Sequence, residues 1–161
     1  MVTNLESKIF EIMFKLQGFF CTDIYIESEL EISKQRIVLE AESTHSLLCA
    51  NCKSTKVKKY DRTPRYILIG SILHQPIYIK YWSYRLQCLE CGKILTQEQN
   101  ISNGKRTYSK AFAESLIFYT QRLDNKSASE ILGITHTKVY RIDKEVLSAM
   151  GNEKSSRSYY K

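Results

Sequence analysis

The chain has 161 residues, 43% of them hydrophobic and 25% charged, with a formal charge of +7 and a pI of about 9.1. That is the make-up of a soluble globular protein of one domain or two small ones. No apolar run is long enough to span a bilayer, and Glu11, Lys15 and Gln17 interrupt the most apolar early stretch, 9–20, so it is no signal-peptide core. The expectation is a cytoplasmic protein with no membrane partner. The excess of positive charge points to an anionic partner, nucleic acid being the commonest; a basic surface kept for solubility is the competing reading.

Leu5, Ile9, Ile12, Met13 and Leu16 recur at three- and four-residue steps. They predict a short amphipathic helix over 5–16 whose stripe packs on the following sheet, with Gly18 as its stop. Cys21, among Phe19, Phe20 and Ile24, reads as a small buried hydrophobe. Two alternating runs follow, one through Ile24, Ile26 and Ser28 and one through Ile37 and Leu39. The polar residues 31–35 between them read as the turn of a hairpin.

Cys49 and Cys52, then Cys88 and Cys91, form two C-x-x-C pairs with 35 residues between them. Each spacing lets two thiolates grip one tetrahedral ion, and four sulfurs complete a closed structural zinc site. The gap exceeds that of compact zinc modules but suits a ribbon whose strands separate the knuckles. Disulfides and a redox C-x-x-C are the competing readings. The doubled motif and the lack of a secretory signal speak against both. A closed four-cysteine site favours zinc over iron. Thiolate ligation would bring the working charge to roughly +5. His45 and His74 read as surface or hydrogen-bonded residues, since four sulfurs already fill the site.

Between the knuckles, Lys53, Lys56, Lys58, Lys59, Arg62 and Arg65 fall within thirteen residues, with Tyr60, Tyr66, Tyr78, Tyr81, Trp82 and Tyr84 interleaved. Pro64 and residues 70–76 are expected to punctuate the strands. Residues 77–87 alternate as one long strand with charges and aromatics on both faces. Such a strand beside a basic loop can follow a phosphate backbone. This nominates Lys56, Lys58, Lys59, Arg62 and Arg65 for phosphate contact. In the competing reading the aromatics form a small core and the lysines are solvated.

After a polar segment containing Asn103-Gly104, the period changes from 2 to 3.6. A helix is expected over 109–123, with Phe112, Leu116, Tyr119 and Leu123 as its stripe, widened by Ala113 and Ile117. A capping box, Ser127 with Glu130, would open a second helix that ends at Leu132-Gly133. A third would follow, capped by Thr135, with Val139, Ile142 and Val146 inward. Gly133 supplies the positive φ of a tight turn, and Ala128 or Ser129 allows close approach, the pattern of a helix-turn-helix. The outer face of the third helix then carries Thr135, His136, Thr137, Lys138, Tyr140, Arg141 and Lys144, candidates for major-groove contact, with Arg141 able to read guanine or grip phosphate. A plain three-helix bundle with a solvated outer face is the alternative.

The order of these parts resembles the N-terminal half of bacterial insertion-sequence transposases of the IS-L-three family. The resemblance covers about residues 20–148. It rests chiefly on the strand 81–87 running into Cys88, Cys91, Gly92 and Lys93, and on the segment 127–142. It implies a zinc-finger domain followed by a helix-turn-helix, with a catalytic domain of the DDE type to follow in the family. This chain departs from the pattern in three ways. Ala50 and Lys53 stand where the first knuckle usually has proline and glycine. His74 stands where glycine is usual. The sequence stops shortly after the helix-turn-helix, as in a truncated transposase.

The expected fold class is therefore α+β: an N-terminal helix and β-rich four-cysteine zinc ribbon, then a three-helix helix-turn-helix module. The expected divisions are 1–99, a linker at 100–108, 109–150, and a polar, frayed tail at 151–161. The acids lie scattered, without the constellation that two-metal strand transfer needs. No P-loop, nucleophile elbow or H-E-x-x-H is present. The expected function is non-enzymatic: zinc-stabilised, sequence-specific binding of double-stranded DNA by a transcription regulator or transposon-end binder. A protein-interaction module that sequesters a partner, and the DNA-binding subunit of a split transposase, stay open. So do a homodimer and a transposase as partners.

Overall fold

A computed structural model describes residues 4–28, 35–97, 101–102 and 106–156. Its elements are α1 (Asn4–Phe14), β1 (Phe19–Ser28), β2 (Gln35–Ser43), β3 (Val57–Ile72), β4 (Gln75–Cys88), β5 (Ile94–Thr96), α2 (Lys110–Thr120), α3 (Asn125–Leu132) and α4 (His136–Ser156). None of the described helices is long and apolar enough to cross a membrane. Among the described residues the architecture is mixed α+β, one sheet with four helices.

The strands run in the order β1-β2-β4-β3, with β5 beside the far half of β4. β1 and β2 are antiparallel; of the residues assigned to their turn, 31–35, Gln35 instead opens β2 and 31–34 lie outside the described residues. β2 and β4 pair in parallel, from Ile37 with Ile77 to Glu40 with Lys80. β3 and β4 form a long antiparallel hairpin, from Ile72 with Gln75 at the turn to Val57 with Cys88 at the far end. The turn residues Leu73 and His74 both have positive φ, 47° and 62°. This is the geometry that hairpins usually give to Asn-Gly. Neither Leu nor His favours it, and the helices brace it: the His74 ring bonds the Glu130 carbonyl at 3.1 Å.

Opposite faces of the sheet bury separate clusters. On one, Leu39, Ile67, Ile69, Ile77, Ile79 and Tyr81 meet Phe10 and Phe14 of α1, with Ile101. On the other, Leu68 and Tyr78 meet Phe112, Leu116, Leu132, Val139 and Ile142 of α2, α3 and α4. Chain 107–109 pairs with β3: Leu68 donates to the Thr107 carbonyl and Ser109 to the Leu68 carbonyl, both at 2.9 Å. The segment assigned as linker is described only at 101–102 and 106–108.

Several expectations are corrected. Four members of the predicted α1 stripe do not face the sheet: Leu5, Ile9, Ile12 and Met13 are 46–79% exposed, while Leu16, beyond the helix end at Phe14, is buried against it as expected. Phe10 and Phe14, stacked 6.4 Å apart, take the buried side because two rings cover more apolar surface. β1 begins at Phe19 rather than Ile24, and it buries Phe19 together with Cys21, the latter as expected. Pro64 does not break β3; it sits on an edge strand, where its missing N–H removes no ladder bond. α3 opens one turn early. Its cap is Asp124, whose carboxylate accepts from Lys126 and Ser127 amides, and Ser127 instead donates its hydroxyl back to Asp124. α2 ends at Thr120, so Leu123 lies beyond its stripe. α4 continues to Ser156, into the stretch expected to fray.

Candidate metal centre and basic faces

The two cysteine knuckles repeat one backbone pattern. Cys49 donates to the Ser54 carbonyl and Lys53 to the Cys49 carbonyl, both at 2.9 Å. Cys88 donates to the Lys93 carbonyl at 2.9 Å and Gly92 to the Cys88 carbonyl at 3.1 Å. The pattern requires a left-handed residue in each turn, and Lys53 (φ 58°) and Gly92 (φ 70°) occupy those places. Lys53 bears the steric cost that glycine avoids.

Cys88 closes β4 and Cys49 follows β2, so the sheet sets the distance between the knuckles. Cys49 and Cys91 sulfurs are 3.6 Å apart, Cys52 and Cys88 3.5 Å, and all four lie within 4.8 Å of one another. Sulfurs at about 2.3 Å from a tetrahedral ion stand about 3.8 Å from each other, so donor set and spacing fit a single ion. None of the cysteines is in a disulfide.

The electrostatics agree. The Cys52 amide, aided by that of Asn51 and the neighbouring thiols, pulls Cys49 down to about 6 against its burial. The Cys91 amide lowers Cys88 in the same way. Cys52 moves the other way, to about 12: the Ser54 amide favours its thiolate, but the Cys88 thiol, burial and the two remaining thiols outweigh it. Four sulfurs at this distance cannot all ionise unless a cation sits among them. Two exposed contacts join the knuckles, Lys93 to Asn51 at 3.1 Å and Lys56 to Glu90 at 3.2 Å.

The basic candidates fall in three places. Lys56 lies at the knuckles, paired with Glu90. Lys59 and Arg62 share one face of the hairpin, over the rings of Tyr84 and Trp82. Arg65 opposes Tyr81, and Lys58 opposes Gln87. The alternation along a strand puts Arg65 on the face away from Arg62.

On α4, His136, Thr137, Tyr140, Arg141 and Lys144 form one exposed stripe, because Val139 and Ile142 are buried on the opposite side. Lys138 stands apart from it. Its ammonium donates to the Tyr78 hydroxyl at 3.0 Å and lies 5.1 Å from that ring's centroid. The Thr135 hydroxyl accepts from the Lys138 amide at 3.3 Å and so caps the helix. Gly133 (φ 63°) ends α3, and the His74 carbonyl is so near that an added Cβ would lie 1.8 Å from its oxygen.

Sequence reasoning missed Arg36, which lies 5.1 Å from Tyr66 and 5.4 Å from Tyr78. It also missed the Glu145 cluster, where Arg106 bonds Glu145 at 2.6 Å and the Tyr108 hydroxyl donates to it. Burial first, then Glu145, pushes Tyr108 up to about 12, and the Tyr108 bond leads in holding Glu145 below the usual carboxylate range. No local pattern announces either, since both join distant segments.

No protein-family model, curated protein or solved structure matches the chain.

Proposed function

We propose that the protein is a non-catalytic, zinc-stabilised, sequence-specific binder of double-stranded DNA. In this reading α4 lies in the major groove, and the whole is akin to the DNA-binding half of IS-L-three family transposases. The observation that carries it is the stripe of His136, Thr137, Tyr140, Arg141 and Lys144, exposed on a helix that follows a tight turn at Gly133. A helix so placed presents its first residues to base edges. Cys49, Cys52, Cys88 and Cys91 would hold Zn2+, whose role is structural: it fixes the far end of β3 and β4, with Lys59 and Arg62 upon it.

The absence of catalysis in this reading is supported by how several of the described acids are used. Glu27, Glu40, Asp61, Glu90, Glu114 and Glu145 are each ion-paired, and Asp124 caps α3. A second reading, docking of a partner protein, is favoured by the exposed Leu5, Ile9, Ile12 and Met13 of α1.

The deciding experiment exposes the zinc-loaded protein to sheared genomic DNA at physiological salt with excess competitor and sequences what is retained. Enrichment of one short motif is expected, at element ends or at a promoter. Replacing Arg141 with alanine should then weaken binding to that motif by about 1–3 kcal/mol if it pairs with guanine. Uniform retention with a steep salt dependence would sink the reading and favour the protein partner.

A further inference from the structure

One face of the β3–β4 hairpin alternates rings and cations. Pro64 opposes Trp82 and Arg62 opposes Tyr84, and opposed residues share a face. The Arg62 guanidinium lies 4.3 Å from the Trp82 ring and the Lys59 ammonium 4.3 Å from the Tyr84 ring. Tyr66, opposed to Lys80, continues the row toward Tyr78. Trp82, Tyr84 and Tyr66 are all half-exposed.

Charge is distributed unevenly along this row. Toward β1 the cations are neutralised, Arg36 by Glu27 and Lys80 by Glu40. Among the described residues, Lys59 and Arg62 have no carboxylate partner. The free positive charge therefore sits beside Trp82 and Tyr84. These two rings, two residues apart on β4, are about 6.8 Å apart along the strand, room for one base on each.

We propose that this face binds single-stranded DNA, with unpaired bases replacing the cations over Trp82 and Tyr84 and the displaced Lys59 and Arg62 holding the flanking phosphates. A duplex would satisfy the two cations but keeps its bases inside the stack, leaving the rings unused. An unpaired strand satisfies both, the combination that general single-strand binders use. The row ends at Tyr78, where Lys138 brings the start of α4. A surface for unpaired bases thus adjoins the helix assigned to the duplex, and together they suit a frayed DNA end. The choice of DNA rather than RNA rests on the reading of α4; the stacking does not.

Trp82 is the only tryptophan in the chain, so its emission reports on this face alone. The zinc-loaded full chain would be titrated at physiological salt with four probes: an oligothymidine, an abasic strand of equal length, an oligouridine, and a hairpin duplex. The oligothymidine is expected to quench Trp82 and to bind about tenfold more tightly than the abasic strand. The duplex is expected to leave the emission unchanged. Tyr84→Leu should weaken the oligothymidine and not the abasic strand. Equal binding of those two strands to the unaltered protein, or no quenching, overturns the proposal without appeal to any variant. Tighter binding of oligouridine overturns the choice of DNA. Quenching without motif selection on duplex DNA removes the α4 reading alone; motif selection without quenching removes this one alone.

Discussion

At the turn end of the β3–β4 hairpin, Leu68 and Tyr78 pack among Phe112, Leu116, Val139 and Ile142, and α1 covers the other face through Phe10 and Phe14. At the cysteine end, β3 is exposed at every residue from 58 to 64, while Leu86 and Cys88 of β4 are buried. The first end is held by apolar surface removed from water, at about 25 cal/mol per Å². The second is a ribbon of two or three strands, too thin to bury such a surface. What this end has in place of a core is the four-cysteine cluster, whose sulfurs fit an ion. One pair of strands thus passes from a region stabilised by packing to one that the cysteine cluster would stabilise by coordination.

Four perturbations bear on that contrast. The largest is removal of the metal, since structural zinc contributes about 10–16 kcal/mol of apparent binding energy in small modules. A chelator should open residues 53–65 to trypsin while amides of α2, α3 and α4 keep their protection from exchange; simultaneous loss at both ends would erase the contrast. Next, Phe112→Ala in the helical core, where Phe112 is 2% exposed, should cost about 3–5 kcal/mol. In urea, helical circular dichroism should then fade before the cobalt–thiolate absorption of cobalt-loaded protein, and a single shared transition would count against independent ends. Gly133→Ala follows, at about 2–4 kcal/mol, because the left-handed backbone and the His74 carbonyl both oppose a Cβ. An unmoved urea midpoint would show that the two turns are not tightly packed. Smallest is a gain: Lys53→Gly should relieve the first knuckle by about 0.5–1 kcal/mol, seen as slower metal loss to a chelator with helix stability unchanged.

What the sequence made legible follows the range of the interaction. The cysteine cluster was readable because C-x-x-C is a local spacing, and only the approach of its halves depended on the sheet. The buried sides of α2 and α4 were readable from a 3.6-residue period with few competing residues. On α1 two periods coexist, the aliphatics at 5, 9, 12 and 13 and the phenylalanines at 10 and 14. The sequence does not say which one the sheet will meet. Two caps likewise compete within four residues at the start of α3, and Asp124 prevails by reaching two amides at once. The parallel pairing of β2 with β4 and the seating of Lys138 on Tyr78 join residues about 40 and 60 positions apart, beyond any local pattern. The cation–ring pairs needed the register: alternation placed aromatics on both faces but could not match Arg62 to Trp82.

The length of β4 has a geometric consequence. From Tyr78, where Lys138 rests, to Cys88 is ten steps along one strand, about 33 Å at 3.3 Å per residue. B-form DNA advances about 34–36 Å per helical repeat. In the reading proposed above, a duplex seated on α4 would meet the knuckles only about one such repeat away, past the ring face assigned to an unpaired strand. The strand is then a spacer of about that length between the helical core and the four sulfurs.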